Sequence, residues 1–141
     1  MTRYLLDTNI ISEATRPRPL PAVMAWMDQQ DDNDLFISTL TLAEIRKGIL
    51  EKEAGKKRRE LEKWFSGPEG PSALFQNRIL PFDEAAAAEW ARIMAEGTHT
   101  GRPRSPLDMI IAATAATHRC TVVSLNERHF QNVVAYFNPA R

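Results

Sequence analysis

Apolar residues along this chain come in two kinds of stretch, and the two kinds alternate. Short unbroken runs appear at Tyr4-Leu5-Leu6, Leu35-Phe36-Ile37, Ile79-Leu80, Val122-Val123 and Val133–Phe137. Runs this short, bounded by polar, Gly or Pro residues, predict buried strands. Between them, apolar positions recur every three or four residues, the mark of helices with one face inward. Val23, Trp26 and Met27 share a face over about 21–30; Leu42, Ile45 and Ile49 do so from Thr41 to about Ala54. Leu61, Trp64 and Phe65 give Lys56–Phe65 an apolar side, and Ala86, Trp90, Ile93 and Met94 do the same from Asp83 to about Glu96. Pro106 to about His118 is apolar on nearly every side, which predicts a buried helix. A short helix is expected over Asn9–Ala14, and Arg16–Pro21 cannot remain helical because each proline restrains the residue before it. The stretches 67–71 and 97–104 read as loops. Short apolar strands separated by helices predict an α/β fold: a mostly parallel sheet covered by helices on both faces.

Composition adds bounds. The 141 residues suit one domain spanning 1–141, and the 43% hydrophobic and 26% charged fractions are ordinary for a globular protein. Eighteen basic and eighteen acidic residues cancel, so general attraction to nucleic acid is not built into the total charge. Locally the balance differs: Arg46 to Lys63 holds eight basic and four acidic residues, which fits either a solvated helix face or a backbone-phosphate contact. One cysteine, Cys120, excludes an internal disulfide. No apolar run approaches the roughly 18 residues of a membrane span and no secretory signal opens the chain, so the expected location is the cytoplasm.

Chemistry gathers on three acids. Asp7 follows the first strand, where ligand sites of open parallel sheets lie. Glu44 lies six residues past the second strand, and Asp108 sits in the first turn of the apolar helix. Each has an innocent alternative. Asp7 suits a helix cap. Thr41-Leu42-Ala43-Glu44 has capping-box spacing, and Ser105-Pro106-Leu107-Asp108 reads as a cap, a first-position proline and a first-turn acid. Yet Asp7 and Asp108 lie in segments with little solvent face. Three carboxylates meeting at one sheet edge would repel each other, and a divalent cation would remove the conflict. Oxygen-only ligands favour Mg²⁺ or Mn²⁺ over zinc.

At these residues the chain resembles PIN-domain ribonucleases, and in particular the toxins of VapBC-type toxin–antitoxin pairs, including the FitB-like branch. The resemblance runs through four ordered blocks: Leu5–Ile10, Ile37–Ile49, Pro106–Ala115 and Thr121–Asn126. It implies the α/β/α sandwich of that family, with Asp7, Glu44 and Asp108 as metal-site acids and Asn126 in a fourth position that is often acidic. His129 stands where the branch usually has Asp. The implied activity is Mg²⁺- or Mn²⁺-dependent hydrolysis of RNA to 5′-phosphate and 3′-hydroxyl ends. The implied partners are a VapB-type antitoxin, a second copy in a homodimer, and operator DNA through the antitoxin only. Asn9 and Thr41 are candidates for orienting an acid or a water, with capping or turn formation as the alternative. Arg102 and Arg104, just before Asp108, are candidates for a substrate phosphate. Trp26, Trp64 and Trp90 fall at core-facing positions, and Cys120 reads as inert core. Apolar residues on the helices from Thr41 to Phe65 offer a face to an antitoxin or a second subunit. Two rival readings are a non-catalytic PIN-like interaction domain and a haloacid-dehalogenase-like phosphotransferase. The latter wants a second acid where Asn9 stands.

Overall fold

The computed structural model describes residues 2–141. Five strands, β1 (Tyr4–Leu6), β2 (Leu35–Ser38), β3 (Ile79–Leu80), β4 (Thr121–Val123) and β5 (Tyr136–Phe137), form one sheet in the order β3-β2-β1-β4-β5. Every pairing is parallel. Seven helices connect them: α1 (Thr8–Ala14), α2 (Pro21–Asp28), α3 (Thr39–Leu50), α4 (Lys56–Ser66), α5 (Pro71–Leu74), α6 (Glu84–His99) and α7 (Pro106–Thr117). Short 3₁₀ turns cover Asp32–Asp34 and Glu127–Phe130. The predicted α/β architecture is what forms.

Strand alternation builds two cores. Leu5 and Val122 point to one face, where Ile93, Met109, Ile111 and Phe130 cover them. Leu6 and Val123 point to the other, against Ile10, Ile11, Val23, Ile37 and Phe75. With both faces buried, the strands carry unbroken apolar runs rather than alternation. Ala112, Ala113 and Ala115 of α7 are all buried, and such small side chains let α6 and β4 approach α7 closely. Trp26 packs edge-on against Tyr4 at 5.0 Å between ring centroids, and the Trp90 indole N–H donates to the Pro106 carbonyl at 2.9 Å. Both tryptophans therefore serve packing.

Several boundaries differ from the sequence reading. α3 starts at Thr39, not Thr41, and stops at Leu50. Its cap is Ser38, whose hydroxyl accepts from the Thr41 backbone N–H at 3.1 Å. The capping box at Thr41–Glu44 therefore does not exist, because an adjacent cap residue begins the helix earlier and frees Glu44 to point elsewhere. α6 continues through 97–99 to His99 rather than yielding to a loop. Gly97 is buried there, and a Cβ would meet the Arg102 carbonyl and the Arg104 side chain at 3.0 Å. A glycine lets the 102–104 segment fold back onto α6. α5 was not foreseen; Pro71 at its first position starts a single turn.

Candidate metal centre

β1 is flanked by β2 and β4, and the chain direction across the sheet reverses around it. The crevice at such a switch point lies outside the carboxyl ends of the strands. Asp7 leaves β1 there, and Ser124 leaves β4 beside it. The Asp7 backbone N–H donates to the Val123 carbonyl at 2.9 Å, which extends the strand register up to the acid.

A cleft of about 330 Å³ opens at this edge, and its lining includes Asp7, Glu44, Asp108 and Asn126 together. All four predicted site residues thus reach one place from four separate elements. Asp7 is 6% exposed. Its Oδ1 accepts from the Thr8 backbone N–H at 2.8 Å, and its Oδ2 accepts from the Ser124 hydroxyl at 2.8 Å. The Asn9 amide donates more weakly to the same oxygen at 3.4 Å and to the Ser124 hydroxyl at 3.2 Å. Asn9 accepts in turn from the Leu125 backbone N–H, which ties the start of α1 to the end of β4. Ser124 also accepts from the Asn126 backbone N–H at 2.9 Å. One buried hydroxyl thus joins Asp7, Asn9 and Asn126.

Glu44 and Asp108 are held separately. The Thr8 hydroxyl donates to Glu44 Oε1 at 2.7 Å and lies 3.1 Å from the Thr41 hydroxyl. Thr41 therefore reaches the site through Thr8 rather than through a cap. Asp108 follows the cap Ser105, whose hydroxyl accepts its backbone N–H at 3.4 Å. Its carboxylate, 26% exposed, faces His129, with Nδ1 2.7 Å from Oδ2. Each acid has a neighbour of its own, and among the described residues no three His, Cys, Asp or Glu side chains form a ready-made cage.

Electrostatics favour an added positive charge. Burial pushes the Asp7 carboxyl above its usual range. Its hydrogen bonds from Ser124 and Thr8 pull down, and the charges of Asp108 and Glu44 push up again. The net direction is upward, so the hydrogen bonds do not offset burial among like charges. Arg16 is the one cationic side chain in the cleft lining. It stands 3.6 Å from Glu13, which is 2% exposed and accepts from the Leu20 backbone N–H at 2.8 Å.

Glu127 is not a fourth acid here. The Asn138 amide donates to it and Arg141 lies 3.0 Å away, and the first of these holds its carboxyl below the usual range. Arg104 is committed to Glu96 at 3.0 Å and to the Ile93 carbonyl at 2.7 Å, so it braces α6. Three of the eight cations in the basic run around α4 are laced into helical pairs, Lys47–Glu51, Lys56–Glu60 and Arg58–Glu62, as on a solvated face. Sequence reasoning missed Thr8, Glu13, Arg16 and Ser124 as parts of this site. Thr8 stands one residue from Asp7 and Ser124 two from Asn126, and that proximity was the available signal.

A switch-point crevice lined by carboxylates on an all-parallel sheet defines the class, and comparison with known proteins agrees. The PIN domain profile matches residues 4–135, and the chain belongs to the PIN-domain family. Within it, the chain is 41% identical over 136 residues to Toxin FitB of Neisseria gonorrhoeae, covering 96% of both chains. It is 36% identical over 127 residues to VapC ribonuclease Y4jK of Sinorhizobium fredii, covering 90% of this chain and 89% of that one. The crystal structure of FitAcB from Neisseria gonorrhoeae superposes with a TM-score of 0.91 at 40% identity, covering 98% of this chain and 99% of that one.

Proposed function

We propose that this chain, read as a single PIN domain, is a divalent-metal-dependent endoribonuclease and the toxin of a type II toxin–antitoxin pair. The observation that carries this is the convergence of Asp7, Glu44 and Asp108 on one cleft from β1, α3 and α7. The relatives support it: one is named a VapC ribonuclease, and another, 31% identical over 135 residues, is a tRNA(fMet)-specific endonuclease VapC of Shigella flexneri. The FitAB structure is of a complex bound to a DNA fragment. We read the partners accordingly as a VapB-type antitoxin, a second copy of the chain, and operator DNA reached through the antitoxin.

The donor set fits a hard cation. After their hydrogen bonds, Asp7 Oδ1 keeps a lone pair, and among the described residues nothing donates to Glu44 Oε2 or Asp108 Oδ1. Three oxygen donors, without thiolate or imidazole between them, suit Mg²⁺ or Mn²⁺. A bound divalent ion supplies a more acidic water and positive charge beside the phosphate. Ser124 and the Thr8 N–H fix Asp7, the Thr8 hydroxyl fixes Glu44, and His129 occupies one oxygen of Asp108, Oδ2. Asn126, at the rim, offers an uncharged amide to a water or a phosphate oxygen. In hydrolysis the water oxygen bonds to phosphorus and the bond to the 3′ oxygen breaks, leaving 5′-phosphate and 3′-hydroxyl ends. No helix among the described residues is long and apolar enough to cross a membrane.

Expression in bacteria without a partner, for wild type and Asp108→Asn, tests the reading. Wild type should arrest growth and the variant should not. Purified wild type should cleave RNA with Mg²⁺ or Mn²⁺ and stop on chelation. Absence of cleavage with either ion would leave the non-catalytic interaction domain as the better account.

A further inference from the structure

Beside the acid cleft lies a second, larger one of about 610 Å³, and its charge is of the opposite sign. Its walls carry Arg102, Arg104, Ser105, Arg128 and His129, with Glu96 as the acid. The Glu96 charge is already spent on Arg92 at 3.2 Å and Arg104 at 3.0 Å. Arg104 is spent by the same contacts. Arg102 and Arg128 are exposed, and among the described residues neither enters an ion pair. Two free guanidiniums therefore face a cleft with no free carboxylate.

The two clefts share a wall. Ser105, in the basic cleft, caps α7, and Asp108, in the acid cleft, donates its backbone N–H to that cap. His129 lines the basic cleft while its Nδ1 holds the Asp108 carboxylate. Gly97 lets the 102–104 segment close over α6, which sets Arg102 at this edge. His129 thus touches the acid cleft through Asp108 and lines the basic cleft itself.

We propose that the Arg102–Arg128 cleft is a phosphate track holding the RNA strand on one side of the cleaved bond. This rests on the ribonuclease reading. Three acids repel a polyanion, and the chain's net charge of zero gives no general attraction to offset that. Fixed cations must therefore stand where the phosphates next to the reacting one lie. Guanidiniums suit this because they match phosphate oxygens with paired N–H donors. The track positions the strand; it does no chemistry.

The test is binding of a fluorescent oligoribonucleotide to the full chain by anisotropy across a salt series, with Ca²⁺ replacing Mg²⁺ to hold back cleavage. For single strands the slope of log affinity against log salt is about 0.7 per phosphate neutralised. The double variant Arg102→Ala/Arg128→Ala should flatten that slope by roughly 1.4. In cleavage assays with Mg²⁺ it should raise KM and leave kcat nearly unchanged, as loss of uniform binding does. A charge-matched double variant on α4, Lys57→Ala/Arg59→Ala, should keep the wild-type slope. The proposal fails if the slope survives in Arg102→Ala/Arg128→Ala, or if the α4 variant flattens it equally. It also fails if the cleft variant loses only affinity for an acidic polypeptide such as polyglutamate, which would make the cleft a protein-docking surface. Wild type that cleaves RNA while the slope survives sinks the track alone; wild type that neither binds nor cleaves RNA sinks both readings.

Discussion

Removing one hydroxyl, in Ser124→Ala, should destabilise the protein by about 2.5–4 kcal/mol. Ser124 is fully buried and its oxygen makes three hydrogen bonds: one donated to Asp7 Oδ2 and two accepted, from the Asn9 amide and the Asn126 backbone N–H. A hydrogen bond to a buried charge contributes about 1.5–3 kcal/mol. The two amide donors border the cleft, where water can replace the lost acceptor, so together they add about 1 kcal/mol. Urea denaturation reads the change as a lower midpoint at unchanged slope. Asn126→Ala keeps the backbone N–H and should stay within about 0.5 kcal/mol of wild type.

pH dependence sharpens the test. Asp7 titrates above the ordinary carboxyl value of 3.8, so the folded state holds its proton more tightly than the unfolded state. Stability therefore falls as pH rises from 3.8 through the raised value, then levels. The Ser124 bond pulls that value down, so its removal lifts it further, at about 1.4 kcal/mol per unit. The deficit of Ser124→Ala should grow as pH rises through this window and be complete above it. Below 3.8 both proteins carry a protonated Asp7, and the deficit should shrink toward the amide contribution. A deficit under about 0.5 kcal/mol, or one that does not change with pH, would refute the reasoning.

Three further outcomes follow from neighbouring geometry. The His129–Asp108 pair is half exposed on the His129 side, so His129→Ala should cost less than about 1 kcal/mol. By removing a competitor for the carboxylate, it should also tighten Mn²⁺ binding in calorimetry; weaker binding would mean that His129 orients Asp108 for the ion. Glu13→Ala takes the acceptor from the Leu20 N–H, which water can partly replace because Leu20 is exposed, and should lower stability by about 0.5–1.5 kcal/mol in urea unfolding, whereas Glu13→Gln, which keeps an acceptor, should recover most of it. Gly97→Ala presses a Cβ against the Arg102 carbonyl and the Arg104 side chain, and should lower thermal stability by about 1–3 kcal/mol; a neutral result would mean the 102–104 segment yields freely.

Much of the fold was legible because each strand is buried on both faces. Leu5 and Leu6 feed different cores, so neither position tolerates a polar residue, and the run stands out. Placement of Asp7 and Asp108 was legible for a related reason: a carboxylate inside such a run has little solvent to face. The start of α3 was less so, because Ser38, Thr39 and Thr41 are all capping residue types. Packing decides among them, and Ser38 is the one at the strand end. The partner of Asp108 was hidden for another reason. His129 arrives from beyond β4, and no local spacing links residues on separate crossovers. Arg16 was read only as part of a helix-breaking stretch; its place in the cleft depends on Glu13, whose burial no periodicity announces.

Cap and site turn out not to be alternatives. Asp7 Oδ1 takes the Thr8 N–H at the start of α1, while Oδ2 takes the Ser124 hydroxyl. Ser105 caps α7 and so delivers Asp108 to the cleft. Capping therefore explains where Asp7 and Asp108 stand, but not why three acids, Glu44 among them, share one crevice. A helix start exposed to water would serve a cap as well, without lifting the carboxyl above its usual range. The upward shift of Asp7 is a standing cost in the folded state, and nothing in the capping geometry requires it. A bound cation would remove that cost, so the ion should stabilise the wild type far more than Asp7→Asn. At a hundredfold excess over its dissociation constant the expected gain is about 2.7 kcal/mol. Equal stabilisation of both proteins by Mn²⁺ would show that the ion sits elsewhere and that Asp7 is only a cap.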